Sequence, residues 1–81
     1  MSQADDIRKF TYVHFIMPAK QRGEKTIRIR VGDVRKKMGI RDNAAVAGAL
    51  GANIFQDTYH VKRIKTEGPH QGGNTTYTFE I

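Results

Sequence analysis

Apolar residues fall along this chain in short groups separated by polar turns, and the spacing inside each group predicts a local structure. Residues 1–6, Met-Ser-Gln-Ala-Asp-Asp, are polar and lack periodicity, so a frayed, disordered amino terminus is expected there, with order from Ile7. Phe10 to Met17 is rich in aromatic and β-branched residues. Its length suits a strand better than a helix, with a short helix as the alternative. As a strand it puts Phe10, Tyr12, His14 and Ile16 on one face and Thr11, Val13, Phe15 and Met17 on the other, so both faces need cover. Pro18 is expected to end it, and Ala19 to Lys25, polar with a glycine, to form an exposed loop.

Thr26-Ile27-Arg28-Ile29-Arg30-Val31 alternates strictly, which predicts a strand with one packed and one cationic face. Gly32-Asp33 breaks it, and Asp33 is placed to cap a short helix over residues 33–39. Val34 and Met38 share the inner face of that helix and leave Arg35, Lys36 and Lys37 outward. Gly39 then provides a left-handed stop onto which Ile40 folds back. Arg41-Asp42-Asn43 reopens a helix with two good capping residues, Asp42 being the expected cap, and the helix runs to Phe55 with Val46, Leu50 and Ile54 recurring on its apolar face. Its other face is unusually small at Ala45, Gly48 and Ala52, and Gly48 and Gly51 each cost about 1 kcal/mol against alanine. Such a face can approach a second subunit or a nucleic-acid backbone closely; packing inside the same domain is an equal reading.

The carboxyl end predicts a hairpin. Tyr59 to Thr66 is a basic strand whose Val61 and Ile64 are three apart, which implies a bulge or an edge position. Thr75 to Ile81 alternates well, with Tyr77, Phe79 and Ile81 inward. Glu67 to Asn74 between them is a long tip rich in turn formers.

Composition narrows the function classes. The chain has 81 residues, so it forms at most one domain, and fourteen Lys and Arg against eight Asp and Glu give a net charge of +6. A domain of this size buries only about 60–65% of its unfolded surface, which favours a surface function over a large internal cavity. Cysteine is absent, which excludes disulfides, a thiolate zinc site and a nucleophilic thiol, and agrees with a reducing, cytoplasmic compartment. There is neither a signal-type h-region nor an apolar run near the roughly 18 residues that span a bilayer, so no membrane partner is expected. The excess of bases points to an anionic partner.

Catalytic constellations are missing from the pattern. His14, His60 and His70 stand far apart without HxxxH or HExxH spacing, and Ser2 is the one serine. Gly68 to Gly73 lacks the GK[ST] lysine of a phosphate loop and is not followed by a helix. A non-enzymatic protein without cofactor or metal is therefore expected.

The order of elements, a basic strand, a short helix ending in Gly39-Ile40, a turn, a second helix and a hairpin with a long polar tip, resembles a winged helix-turn-helix domain. Val31 to Ile40 is similar to the strand end and first helix of that motif, and the match covers about 50 of the 81 residues. The resemblance implies an α+β fold in which two short helices pack on a small antiparallel sheet with a carboxyl-terminal wing hairpin, all within a single domain over 7–81. It implies nucleic-acid binding, of duplex DNA in the first place, with residues 42–55 as the recognition helix. Phosphate contacts would come from Arg35, Lys36 and Lys37 and from the wing bases Lys62, Arg63 and Lys65. Arg41 and Asn43 are the side chains suited to base edges, and His70, Gln71 and Asn74 at the wing tip could enter an adjacent groove. Two alternatives stay open: RNA as the ligand, and a protein-interaction or dimerisation module without nucleic acid. A homodimer is compatible with either function.

Overall fold

A computed structural model describes residues 2–69 and 72–81 and has an α+β fold of short helices and one three-stranded antiparallel sheet. Its first helix, α1 (Gln3–Thr11), begins inside the stretch expected to be frayed. Ser2 Oγ accepts the Asp5 amide at 3.2 Å, and Asp5 and Asp6 lie in the first turn, where the helix dipole favours acids. Polar composition hid this start because capping residues are themselves polar.

Phe10 to Met17 is helical, not extended. α1 continues through a π-turn, Tyr12–Ile16, into α2 (Met17–Gln21). The buried positions Ile7, Thr11, Ile16 and Ala19 have helical spacing, which becomes visible only when Ile7 and Ala19 are included. The π-turn inserts a residue, so Tyr12, Phe15 and Ile16 all lean on the core, and this blurred period imitates a strand covered on both faces. Thr11 hides its hydroxyl by donating to the Ile7 carbonyl at 2.8 Å. Pro18 does not end the helix: the Met17 amide bonds to the Tyr12 carbonyl five residues back, and the wider turn leaves room for the ring.

β1 (Thr26–Arg30) alternates as expected, with Ile29 buried and Arg28 exposed, but Val31 already belongs to α3 (Val31–Met38). Asp33 is not the cap. The Val31 and Gly32 amides donate to the carbonyls of Thr75 and Gly73, each at 2.8 Å, so the hairpin takes the donors that a capping carboxylate would have served. Asp33 instead accepts the Arg30 guanidinium at 2.9 Å. The approach at Gly32 is too close for a side chain, since a Cβ there would lie 2.8 Å from the Gly73 carbonyl oxygen. At the other end Gly39 is left-handed with φ 76°, its amide reaches Lys36 O at 3.1 Å, and the Ile40 amide returns to Arg35 O at 3.2 Å. These bonds form a Schellman turn that folds Ile40 onto the core.

α4 (Asn43–Gly51) is capped by Asp42, whose carboxylate accepts the Ala44 and Ala45 amides at 2.9 and 3.2 Å. The helix expected to reach Phe55 stops earlier. Ala52 is extended, with φ −77° and ψ 144°, and α5 (Asn53–Tyr59) starts afresh. The side chain of Arg63 takes over the terminal carbonyl of Gly51 at 2.7 Å, which lets the chain leave the helix without an orphan acceptor. This break drives Phe55 into the core against Phe79, with ring centroids 5.2 Å apart, and leaves Ile54 51% exposed instead of on the apolar face. α5 ends at His60 in the left-handed region, φ 57°, so Tyr59 and His60 precede the strand they were expected to open.

The hairpin comprises β2 (Lys62–Glu67) and β3 (Thr76–Glu80), and β3 lies in the middle of the sheet, in the order β1-β3-β2. The expected irregularity is a bulge between Arg63 and Lys65, which leaves Ile64 out of register and exposed. Ile27, Ile29, Tyr77 and Phe79 face the helices, and Ile29 and Phe79 join Ile7, Ile16, Val34, Val46, Leu50 and Phe55 in one core. Full burial of side chains such as Phe55 and Phe79 contributes about 1.5–3 kcal/mol each. Thus more than two short helices pack on the sheet, because the amino-terminal stretch supplies a helix where a strand was expected. Among the described residues no helix is long and apolar enough to cross a membrane.

Candidate functional site

The Schellman turn at Gly39 and the Asp42 cap fix a tight corner between α3 and α4. Lys36, Lys37 and Arg41 stand exposed on that corner, and among the described residues none of them has a carboxylate partner. Lys37 lays its stem beside the π-turn, with Nζ 5.7 Å from the Phe15 ring centroid, which leaves its charge at the surface. Arg35, expected beside them as a phosphate contact, turns inward. Its Nη1 donates to the Ile40 carbonyl at 3.2 Å and its Nε is buried, so this guanidinium braces the corner.

Asn43, the first residue of α4, is half-buried under the entrance to β3. A Cβ on Gly73 would come within 3.2 Å of its Nδ2, and its Oδ1 is buried without a hydrogen-bond partner among the described residues. Asp42 occupies the first amides of α4, so this helix end keeps few free donors for an anion. Beyond it the outward positions of α4 are Ala44 and Gly48, which have no reach. Arg41 is therefore the long exposed side chain next to the start of α4.

The wing bases divide. Lys62 and Lys65 point to the outer face of the sheet, where Arg28, Thr78 and Lys65 form one cross-strand row. Glu67 pairs with Arg28 at 3.3 Å and with Lys65 at 3.7 Å. Arg63 lies on the inner row opposite Phe79. Besides holding Gly51 O it lies over Tyr77, 5.7 Å from the ring centroid, and its own amide donates to Gln56 Oε1 at 3.0 Å. Asn74 accepts from Arg30 at 2.9 Å, which ties the hairpin to the start of α3. His70 and Gln71 lie outside the described residues. Arg28 and Arg30, not among the expected contacts, share the outer face with Lys62 and Lys65; their alternation in β1 was the signal for it.

Between α4 and β2 runs an open groove of about 370 Å³, walled by Ala47, Gly48, Gly51 and Ala52 and by Arg63, Thr66 and Tyr77. The Tyr77 hydroxyl is spent on the Ala47 carbonyl at 3.1 Å. The arrangement offers exposed ammonium and guanidinium charges on a rigid corner, beside a smooth helix face that a polymer backbone can approach.

No family model matches this chain, and no curated protein or solved structure matches it either.

Proposed function

We propose that this chain is a winged helix-turn-helix protein that binds nucleic acid, with duplex DNA as its ligand and the phosphate backbone as the main source of affinity. The connectivity supports the fold: a helical stretch, β1, α3, a four-residue turn over 39–42, α4, the short added helix α5, and a hairpin whose second strand inserts beside β1. The observation that carries the function is the cluster of Lys36, Lys37 and Arg41, three exposed cations without counter-ions among the described residues, on the helix-turn-helix corner. Lysine and arginine held so can replace condensed counter-ions on a polyanion, a gain that does not depend on sequence. The short side chains of Ala44 and Gly48 on the outward face of α4 favour close approach over base reading, so modest selectivity is part of the proposal.

The test is a titration of labelled protein with duplex DNA, single-stranded DNA and structured RNA at two salt concentrations, followed by backbone amide shifts. Shifts at residues 36–48 and in the hairpin with duplex alone, weakening at the higher salt, are expected. Shifts with RNA alone would move the ligand class, and no shift with any polymer would overturn the reading.

A further inference from the structure

The helical stretch from Gln3 to Gln21 packs one side on the core and leaves an apolar stripe on the other. Val13 is 42% and Met17 38% exposed, and Phe10 is half-buried with its ring 4.2 Å from that of His14. Asp6, Lys9, Phe10, Val13 and His14 line a shallow depression of about 280 Å³ there. The stripe carries an acid at one end and a base at the other. Asp6 stands seven residues before Val13 and Lys20 seven after it, and among the described residues neither has an ion-pair partner.

We propose that this face binds a second copy of the chain, as an antiparallel helix pair with its twofold axis at Val13. Antiparallel pairing about that point sets Val13 against Val13, lays Met17 of each copy between Phe10 and the aliphatic stem of Lys9 of the other, and brings Lys20 of each copy level with Asp6 of the other. Parallel pairing would set Asp6 against Asp6 and align the two helix dipoles. A surface that is self-complementary under a twofold is what an isologous dimer requires. Lys20 now rests with Nζ 5.5 Å from the Tyr12 ring centroid, and its flexible stem allows it to turn outward. A seam of about 28 Å, the length of this helical stretch, is small for a stable interface, so the dimer is reversible and concentration-dependent. Pairing through this face is independent of nucleic-acid binding.

Sedimentation of the full chain over a range of concentrations tests it. Reversible dimerisation is expected, with Val13→Glu raising the dissociation constant by about tenfold or more because a carboxylate would be desolvated at the axis. Asp6→Lys is expected to weaken the dimer, and the double exchange Asp6→Lys with Lys20→Asp to restore it. Both Val13 and Asp6 are exposed, so circular dichroism of the variants should match the parent. A monomer at every concentration overturns the inference, as does a dimer that Val13→Glu leaves unchanged. A monomer that still binds duplex refutes the pairing alone, and a dimer that binds no polymer refutes the nucleic-acid reading alone.

Discussion

The corner between α3 and α4 and the strands of the sheet carry the same kinds of cation in different circumstances. On the corner, Lys36, Lys37 and Arg41 project from a backbone already satisfied by the Schellman turn and the Asp42 cap, so the fold asks nothing of their charges. On the sheet, Arg63 of β2 closes α4 through Gly51, Lys65 of β2 and Arg28 of β1 share Glu67, and Arg30 at the end of β1 bridges Asp33 and Asn74. The number and clustering of bases do not separate these roles. What separates them is whether an orphan carbonyl or a carboxylate lies within reach, which only the folded chain decides.

The largest effect expected from breaking this contrast is at Arg63. Its guanidinium is half-buried, holds the Gly51 carbonyl and packs on Tyr77, so Arg63→Ala leaves an acceptor unpaired and opens the seam between α4 and β2. A loss of about 1.5–3 kcal/mol in urea unfolding is expected. Arg63→Lys should recover part of it, because one ammonium can reach the carbonyl but cannot lie flat on the ring. A stability equal to the parent in Arg63→Ala would show that the wing charges are as dispensable as those on the corner.

A smaller loss is expected on the corner itself, at the residue that makes its cations dispensable. Asp42→Ala removes the acceptor for two amides and should lower stability by about 0.5–2 kcal/mol in thermal melts, while Asp42→Asn keeps most of it. An unchanged melting temperature in Asp42→Ala would mean that water serves the α4 amides as well as the carboxylate does.

How far these roles were legible depended on how local their causes are. The Gly39 stop, the Ile40 fold-back and the Asp42 cap follow from contacts a few residues apart, the alternation in β1 and β3 and the bulge beside Ile64 are written in the spacing of apolar residues whatever the partner strand, and all appear in the fold. The failures have distant or non-periodic causes. A π-turn disguised the helix at Phe10 to Met17, amide donation to Thr75 and Gly73 displaced Asp33 from the cap, and Arg63 reached across from β2 to end α4 before Phe55. Among the expected contacts, Lys36 and Lys37 are exposed because short-range helix spacing put them outward, and Arg41 because it stands in the turn between α3 and α4. Arg35 turned inward because the Gly39 turn folds the Ile40 carbonyl back onto it, and Arg63 because the packing of β2 beside α4 brings the Gly51 carbonyl within its reach.

The smallest effect on stability, and the sharpest separation of the two regions, should come from the exposed cations. Lys36, Lys37 and Arg41 are solvated and form no ion pair among the described residues, so replacing all three with alanine should shift stability by only about 0.5 kcal/mol. Replacing Lys62 and Lys65 should do no more, since the pair from Lys65 to Glu67 is long and solvated. Binding to duplex should nevertheless distinguish the sets. If the corner supplies the phosphate contacts, the triple variant lowers the slope of log K against log salt by up to about 0.9 for each phosphate no longer neutralised, for every duplex alike. The double variant removes Lys62, which has no carboxylate partner among the described residues, and Lys65, whose charge Glu67 already offsets, so its slope should fall by the equivalent of about one phosphate at most. Salt titrations of both variants on one random duplex measure this directly. A larger fall in the double variant than in the triple would place the proposed contact surface on the outer face of the sheet, where Arg28 and Arg30 stand beside the two lysines, and not on the corner between α3 and α4.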